Sequence, residues 1–235
     1  MAGYAGKILK IDLENEKISQ EPLPSEWREE YIGGAGMGAY LLYSLVPPGT
    51  APDSPKNVVI VATGPLNGTI IPSSGRLSVT TLSPVTGIFA DSNGGGNFAP
   101  ELKFAGYDLL IIGGIAKRPL YLWINDDEVE LRDARHLWGK TTWEADEMIR
   151  QEFGDWRIKT ALVGPAAQKG ILFGCLVINK YRACGKTGTG SVLARKNLLG
   201  IAVRGRKGIA IHDPSAFETI CDKITNDIKS SAGYL

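Results

Sequence analysis

Asp91-Ser92-Asn93-Gly94-Gly95-Gly96-Asn97 leads into the helical pattern Phe98 to Ala105, a Gly106 stop and the apolar run Leu109 to Ile112, which ends in Gly113-Gly114. The succession recurs further on. Tyr181-Arg182-Ala183-Cys184-Gly185-Lys186-Thr187-Gly188-Thr189-Gly190 opens a short helical pattern that is followed by the apolar run Leu199 to Gly205. Glycines admit φ > 0 and let backbone N–H groups approach a ligand closely, while Arg182 and Lys186 add positive charge beside a helix start. The second loop therefore reads as an anion cradle for a phosphorylated guest. It is not a P-loop, because the glycine that motif requires five residues before Gly185-Lys186-Thr187 is Lys180 here. A single glycine-rich loop reads as an ordinary surface turn, and the repetition is what changes the balance.

Working outward, the same order of parts fills both halves. Ile8 to Leu13 alternates as a half-buried strand, turns at Glu14-Asn15-Glu16 and returns from Lys17, and Leu120 to Asn125 opens the second half in the same way. Ser25 is placed to cap a short helix, and Met37 to Val46 has helical spacing behind Gly33-Gly34-Ala35-Gly36 until Pro47-Pro48 stops it. Thr141-Thr142-Trp143-Glu144 is a capping box for the corresponding helix, to about Phe153. The apolar strand Asn57 to Thr63 ends in Gly64-Pro65, matched by Gly164-Pro165, and Arg76 to Thr81 forms a further strand with Arg76 at its mouth. The order predicts an internal duplication. The expected fold class is α+β: a pseudo-twofold pair of mainly antiparallel or mixed β-sheets with short helices. Its two glycine loops would face one another about a roughly two-fold ligand carrying two phosphates.

With 235 residues, 43% of them hydrophobic, the chain can bury a sizeable core, and Lys+Arg 26 against Asp+Glu 25 leaves no global field to attract nucleic acid or an anionic membrane. The N-terminus lacks a signal-peptide pattern, and no apolar run reaches the ~20 residues of a membrane span, so the expected location is cytoplasmic. Cys175, Cys184 and Cys221 form neither a disulfide framework nor a cluster motif. Cys175 reads as core, Cys221 as the apolar face of a helix, and Cys184 as a bystander near the loop. His136 and His212 read as surface or capping residues.

The stretches Ala62-Thr63-Gly64-Pro65-Leu66-Asn67-Gly68-Thr69, Ser74-Gly75-Arg76, Glu101-Leu102-Lys103-Phe104-Ala105-Gly106-Tyr107-Asp108 and Arg182-Ala183 occur in this order. Through them, and through nearly all of residues 3 to 212, the chain resembles the N-terminal domain of the tungsten-containing aldehyde ferredoxin oxidoreductases. The resemblance implies a base for a tungsten (or molybdenum) bis-pterin cofactor whose phosphates are bridged by magnesium. Carried over residue by residue, it makes Arg76, Asn93, Gly95, Arg182, Ala183 and Gly185 cofactor-binding, with the backbone carbonyls of Asn93 and Ala183 as magnesium ligands. Guanidinium forks suit phosphates better than lysines do. The chain departs from the family's pattern at Lys186, Thr187 and Thr189.

By the same resemblance, residues 1–212 form the cofactor-binding domain. The amphipathic tail, with Asp213 as cap and Phe217, Ile220, Cys221, Ile224 and Ile228 on one face, makes 213–235 the leading helix of a following domain absent from this chain. The tail after Ser231 has no closing element, which suits a truncated chain or a split gene product. No catalytic residue is assigned, and a 4Fe-4S cluster would come only from the missing domains. The expected partners are the remaining domains or subunit and a ferredoxin-type electron carrier. A homodimer is compatible, and nucleic acid and membrane are not expected. The implied activity is oxidation of an aldehyde to a carboxylic acid, with the isolated chain inactive. The alternatives are a stand-alone pterin-binding carrier, a subunit of an aromatic thioester reductase of the same family, and a structural domain that has lost its cofactor.

Overall fold

The computed structural model describes residues 2–231. In the first half, the hairpin β1 (Lys7–Asp12) and β2 (Lys17–Pro22) is followed by α1 (Ser25–Tyr31), α2 (Gly34–Leu45), β3 (Val59–Ala62), β4 (Leu77–Leu82), β5 (Phe89–Gly94), α3 (Phe98–Ala105) and β6 (Leu109–Gly113). The second half runs β7 (Leu120–Asn125), β8 (Glu128–Asp133), α4 (Thr142–Phe153), β9 (Lys159–Val163), α5 (Pro165–Gln168), β10 (Leu176–Ile178), β11 (Arg182–Cys184), α6 (Thr189–Arg195) and β12 (Leu198–Arg204). A final helix, α7, spans Pro214–Ser230, with Asp213 capping it by accepting from Ala216 N at 3.0 Å. The closing residues 232–235 lie outside the described residues.

The duplication is written in the topology. One sheet has the order β2-β1-β6-β3-β4-β5, and the other, read from its far edge, β8-β7-β12-β9-β10-β11. In each, the hairpin's first strand pairs in parallel with the last strand of its half, and every other neighbour is antiparallel. Both sheets are mixed, as expected.

The central strands β3, β6, β7, β9 and β12 read as apolar runs because both faces are covered. Leu9, Ile11, Val59, Val61, Leu110 and Ile112 face a shared core with Leu122, Ile124, Ala161, Ile201 and Val203 of the other sheet. The alternate residues Ile8, Ile60, Leu109 and Ile111 pack beneath Met37 and Leu41 of α2, and Tyr121, Trp123 and Leu162 beneath Ala145 and Ile149 of α4. Within the shared core the helices cross over: α3 packs on β12 and β9 of the second sheet, and α6 reaches β3 and β4 of the first.

The capping box of α4 is present in both directions, Glu144 N donating to Thr141 Oγ1 and Thr141 N to Glu144 Oε2. Two expectations are corrected. Ser25 is the first helical residue of α1 and not its cap; Pro24 holds that position, and the Ser25 hydroxyl turns to Glu26. Cys175 is half-buried, whereas Cys221 is buried as expected. Among the described residues no helix is long and apolar enough to cross a membrane.

Buried charges tie the ends of the fold together. Lys103 Nζ meets Asp108 Oδ1 at 2.7 Å with side-chain exposures of 0% and 3%, and also donates to Gly3 O and Gly64 O. Asp108 accepts from the backbone N–H groups of Ala5 and Gly6. Removing one member of such a pair strands the other charge, so Lys103→Met is expected to lower the unfolding free energy by about 3–5 kcal/mol in urea titration. Lys196 is buried with only Gly114 O as acceptor, at 2.9 Å, and burial pushes its ammonium down to about 8. Unfolded lysine titrates near ~10.4. Between these values the unfolded chain binds the extra proton, so stability should rise from pH 8 towards pH 10, and Lys196→Met should diminish that rise, leaving the part due to Lys103, which burial also holds below its usual range.

Candidate functional site

The Gly64-Pro65 turn is held by Asn67, which accepts from Gly64 N at 2.6 Å and donates to the carbonyls of Ser74 and Arg76. This fixes the backbone of Arg76 immediately before β4, with its side chain in solvent. A cavity of about 410 Å³ opens there, lined by Arg76, Ser78, Asn93, Gly33, Gly34 and Gly64 among others. Asn93 lies opposite Ser78 in the β4–β5 register. Its side-chain amide donates to Asp91 Oδ2 at 2.5 Å, and Asp91 Oδ1 accepts from the hydroxyls of Ser78 and Thr80. The Asn93 amide is thus tied to its own strand.

Register relates this half to the other. Ala62 pairs with Ser78 and Ser78 with Asn93; Leu162 pairs with Val177 and Val177 with Ala183. With Gly64-Pro65 laid on Gly164-Pro165, Ala62 matches Leu162, so Asn93 matches Ala183, Gly94 matches Cys184 and Gly95 matches Gly185. The outer strands β5 and β11 meet at these residues: a Cβ on Gly94 would stand 2.3 Å from Ile178 Cδ1 and 2.9 Å from Cys184 Sγ. A residue that touches its own equivalent marks a two-fold axis. The axis therefore passes beside Gly94 and Cys184, with Asn93 and Gly95 on one side and Ala183 and Gly185 on the other. The loops are latched across it by Lys186 N donating to Ser92 Oγ at 3.3 Å and Ser83 Oγ donating to Thr187 O at 2.7 Å.

Both stretches read as loops in the sequence are therefore partly strand. Phe89–Gly94 and Arg182–Cys184 pair in their sheets, and only Gly95-Gly96 and Gly185 to Gly188 turn. The cations do not follow the symmetry. The same register sets Arg76 against Cys175 and Arg182 against Ser92, and Arg76 lines the cavity whereas Arg182 lies across the axis.

The residues suit a polyanion. Among the described residues, Arg76 and Arg182 are the arginines whose side chains make neither hydrogen bond nor ion pair, and the Lys186 ammonium also has no carboxylate partner. A Cβ at Gly95 or Gly185 would meet nothing within 4 Å, and neither has positive φ, so no internal packing requires glycine there. Open space beside paired glycines is what a closely approaching ligand would use. The carbonyls of Asn93 and Ala183 are hard oxygen donors of the kind magnesium takes. Among the described residues no three His, Cys, Asp or Glu side chains gather as a metal site. Cys184 is buried, and that burial, with Asp91 nearby, pushes its thiol up to about 12, which leaves it inert as a nucleophile.

Three features escaped the sequence reading. Asp91, Ser78 and Thr80 lie on alternating strand positions that show their shared face only once β4 and β5 are paired. Ser92, which accepts from the opposite loop, gave no signal. Ile32 has φ 62° and ψ −61° and is the centre of a γ-turn closed by Gly33 N to Tyr31 O at 2.6 Å. For a β-branched residue this positive-φ turn costs about 1–3 kcal/mol. The only sequence hint was an isoleucine directly before Gly33-Gly34.

Residues 8–205 match the model of the family described as "Aldehyde ferredoxin oxidoreductase, N-terminal domain". The chain is 43% identical over 225 residues to a tungsten-containing aldehyde ferredoxin oxidoreductase of Pyrococcus horikoshii, covering 95% of this chain and 37% of that protein. It is 30% identical over 220 residues to the WOR-like subunit of an aliphatic sulfonate oxidoreductase of Pyrococcus furiosus, covering 87% of this chain and 35% of that one. A solved structure of the active site complex BamBC of benzoyl coenzyme A reductase, in complex with 1,5-dienoyl-CoA, superposes with a TM-score of 0.95 at 36% identity, covering 97% of this chain and 35% of that chain.

The steric contrast between neighbouring glycines is open to test in protein freed of ligand. Gly94→Ala should lower stability by about 1–3 kcal/mol, because Ile178 and Cys184 must shift. Gly95→Ala and Gly185→Ala should change it by less than about 1 kcal/mol, both measured by thermal unfolding.

Proposed function

The chain belongs to the aldehyde ferredoxin oxidoreductase family, matching its N-terminal domain, and from that premise we propose that residues 1–212 are the cradle of a tungsten (or molybdenum) bis-pterin cofactor. The observation that carries the reading is the register identity of Asn93 with Ala183 and of Gly95 with Gly185 beside two unpartnered arginines. A ligand with two like halves and two phosphates matches such a site in symmetry, charge and space.

In this reading Arg76 and Arg182 each grip one pterin phosphate through a planar fork, a charge-assisted contact that also sets orientation. The Asn93 and Ala183 carbonyls would hold a magnesium ion accompanying the phosphates, and Gly95 and Gly185 would let the backbone come close. Lys186 adds charge without a fork. When bound, the metal and its pterin dithiolenes supply the redox chemistry that converts an aldehyde and water to the acid. This chain's residues bind and orient that group and hold no proton-transfer role. Residues 213–235 lead into the rest of the protein, which would supply substrate pocket, proton handling, a 4Fe-4S cluster and the docking site for ferredoxin.

The chain spans 37% of the P. horikoshii relative, so the whole protein's substrate rests on the remainder. A second reading, a subunit of an aromatic thioester reductase, is favoured by the likeness to the benzoyl coenzyme A reductase complex, and uses the same cradle.

Among the described residues Arg76 and Arg182 are exposed and bond nothing, so replacing both should leave folding intact. In the full-length natural protein, Arg76→Ala/Arg182→Ala is expected to reduce tungsten and released pterin at least about tenfold, with an unchanged circular dichroism spectrum. Full retention of pterin in this variant would sink the cradle. Pterin without iron in the parent protein would favour a carrier over an oxidoreductase.

A further inference from the structure

Ile32 lines the cavity beside Arg76 and Asn93, yet its side chain is 61% exposed and serves no core. Its neighbour Tyr31 does the packing, stacking on Tyr40 with ring centroids 4.4 Å apart. The backbone at Ile32 occupies the strained γ-turn, which any residue but glycine resists. That turn is clamped from several sides. Tyr4 Oη donates to Ile32 O at 2.8 Å. The chain behind the turn is packed too closely for side chains, a Cβ at Gly33 lying 2.6 Å from Thr63 O and one at Gly36 2.5 Å from Tyr31 O. The fold therefore enforces a conformation that glycine would accept freely, and carries there a branched apolar side chain that the protein itself does not use.

We propose that Ile32 is a positioning residue for the cavity's guest: the strained turn holds its sec-butyl group over the cavity, where it would pack on the ring system of a bound pterin. The inference rests on the reading of this cavity as a pterin site. Phosphate forks would hold one end of a pterin and make no contact with its ring. Ile32, with Pro65 and Leu66 of the same lining, gives the ring an apolar shoulder, and a β-branched side chain loses little rotamer freedom on contact. Strain in the empty cavity is kept because the contact is made only when the guest is present.

The test uses the full-length natural protein isolated with its cofactor, and two variants that separate contact from strain. Ile32→Ala removes the contact and keeps the strain; Ile32→Gly removes both. On warming, both are expected to lose pterin and tungsten about tenfold faster than the parent. After the cofactor is stripped, Ile32→Gly should melt about 1–2 °C above the parent, whereas Ile32→Ala should not. Unchanged retention in both variants, alongside cofactor loss in Arg76→Ala/Arg182→Ala, would overturn the inference and leave the cradle standing. Retention in the arginine variant as well would remove the cradle reading and this inference with it. A lower melting temperature in stripped Ile32→Gly would overturn the strain account.

Discussion

Two sheet edges meet at a point that has no room for a side chain. Exposed edge strands are normally liabilities, to be covered or charged. Here β5 and β11 cover one another, and the contact is so close that Gly94 must be bare for Ile178 and the buried Cys184 to fit. Everything proposed for the site depends on that approach. It sets Asn93 and Ala183 at matching register positions on either side of a common axis, brings Gly95 and Gly185 near the surface together, and lets the second loop be latched to Ser92 and Ser83 of the first half. A looser contact would leave two unrelated turns.

The symmetry of the scaffold and the asymmetry of its charges answer different demands. Backbone carbonyls and glycines follow the duplication, but the arginines come from positions that the register does not equate, Arg76 before β4 and Arg182 within β11. Their freedom is not a by-product of excess positive charge, since basic and acidic residues nearly balance. Elsewhere the carboxylates are committed to structure: Arg204 binds Glu101 at 2.7 Å and Asp155 at 2.9 Å, and Arg150 binds the buried Asp146 at 2.9 Å. Such pairing of most arginines makes the two solitary ones conspicuous. A two-fold frame carrying non-equivalent cations would also hold the two halves of a symmetric ligand in different environments.

What could be read from residues alone followed local signals. The β1–β2 hairpin, the Thr141 to Glu144 capping box, the Gly106 stop with φ 104° and the order of parts in the two halves were all visible, because each depends on neighbours in sequence. The strands β5 and β11 were not. β5 carries aspartate, asparagine and glycine, which disfavour strands, and β11 is only Arg182 to Cys184; the extended conformation of both is imposed by pairing with β4 and β10. Ser25 has the chemistry of a cap but sits one residue inside its helix, since Pro24 already supplies the extended position. Arg182 stood out as charge beside a helix start and Arg76 at a strand mouth, and the family resemblance made both cofactor-binding; that, among the described residues, they lack partners could be learned only from where the carboxylates lie. The tension at Ile32 had no sequence signature beyond the glycines that follow it.

The crossing of α3 and α6 into one another's sheets carries a consequence for the order of assembly. β1 pairs in parallel with β6, residue 8 beside residue 109, and β7 with β12, residue 120 beside residue 198, while Gly3 N reaches Ala210 O at 2.8 Å. Contacts of such long sequence separation close late and slowly. During synthesis the first sheet and the cavity beside Arg76 lack α6 and the arginine of β11 until the second half has emerged, so only half of the site is present early. The two-sided site is complete only when nearly the whole chain is in place, so a ligand that needs both sides would bind after the halves have met.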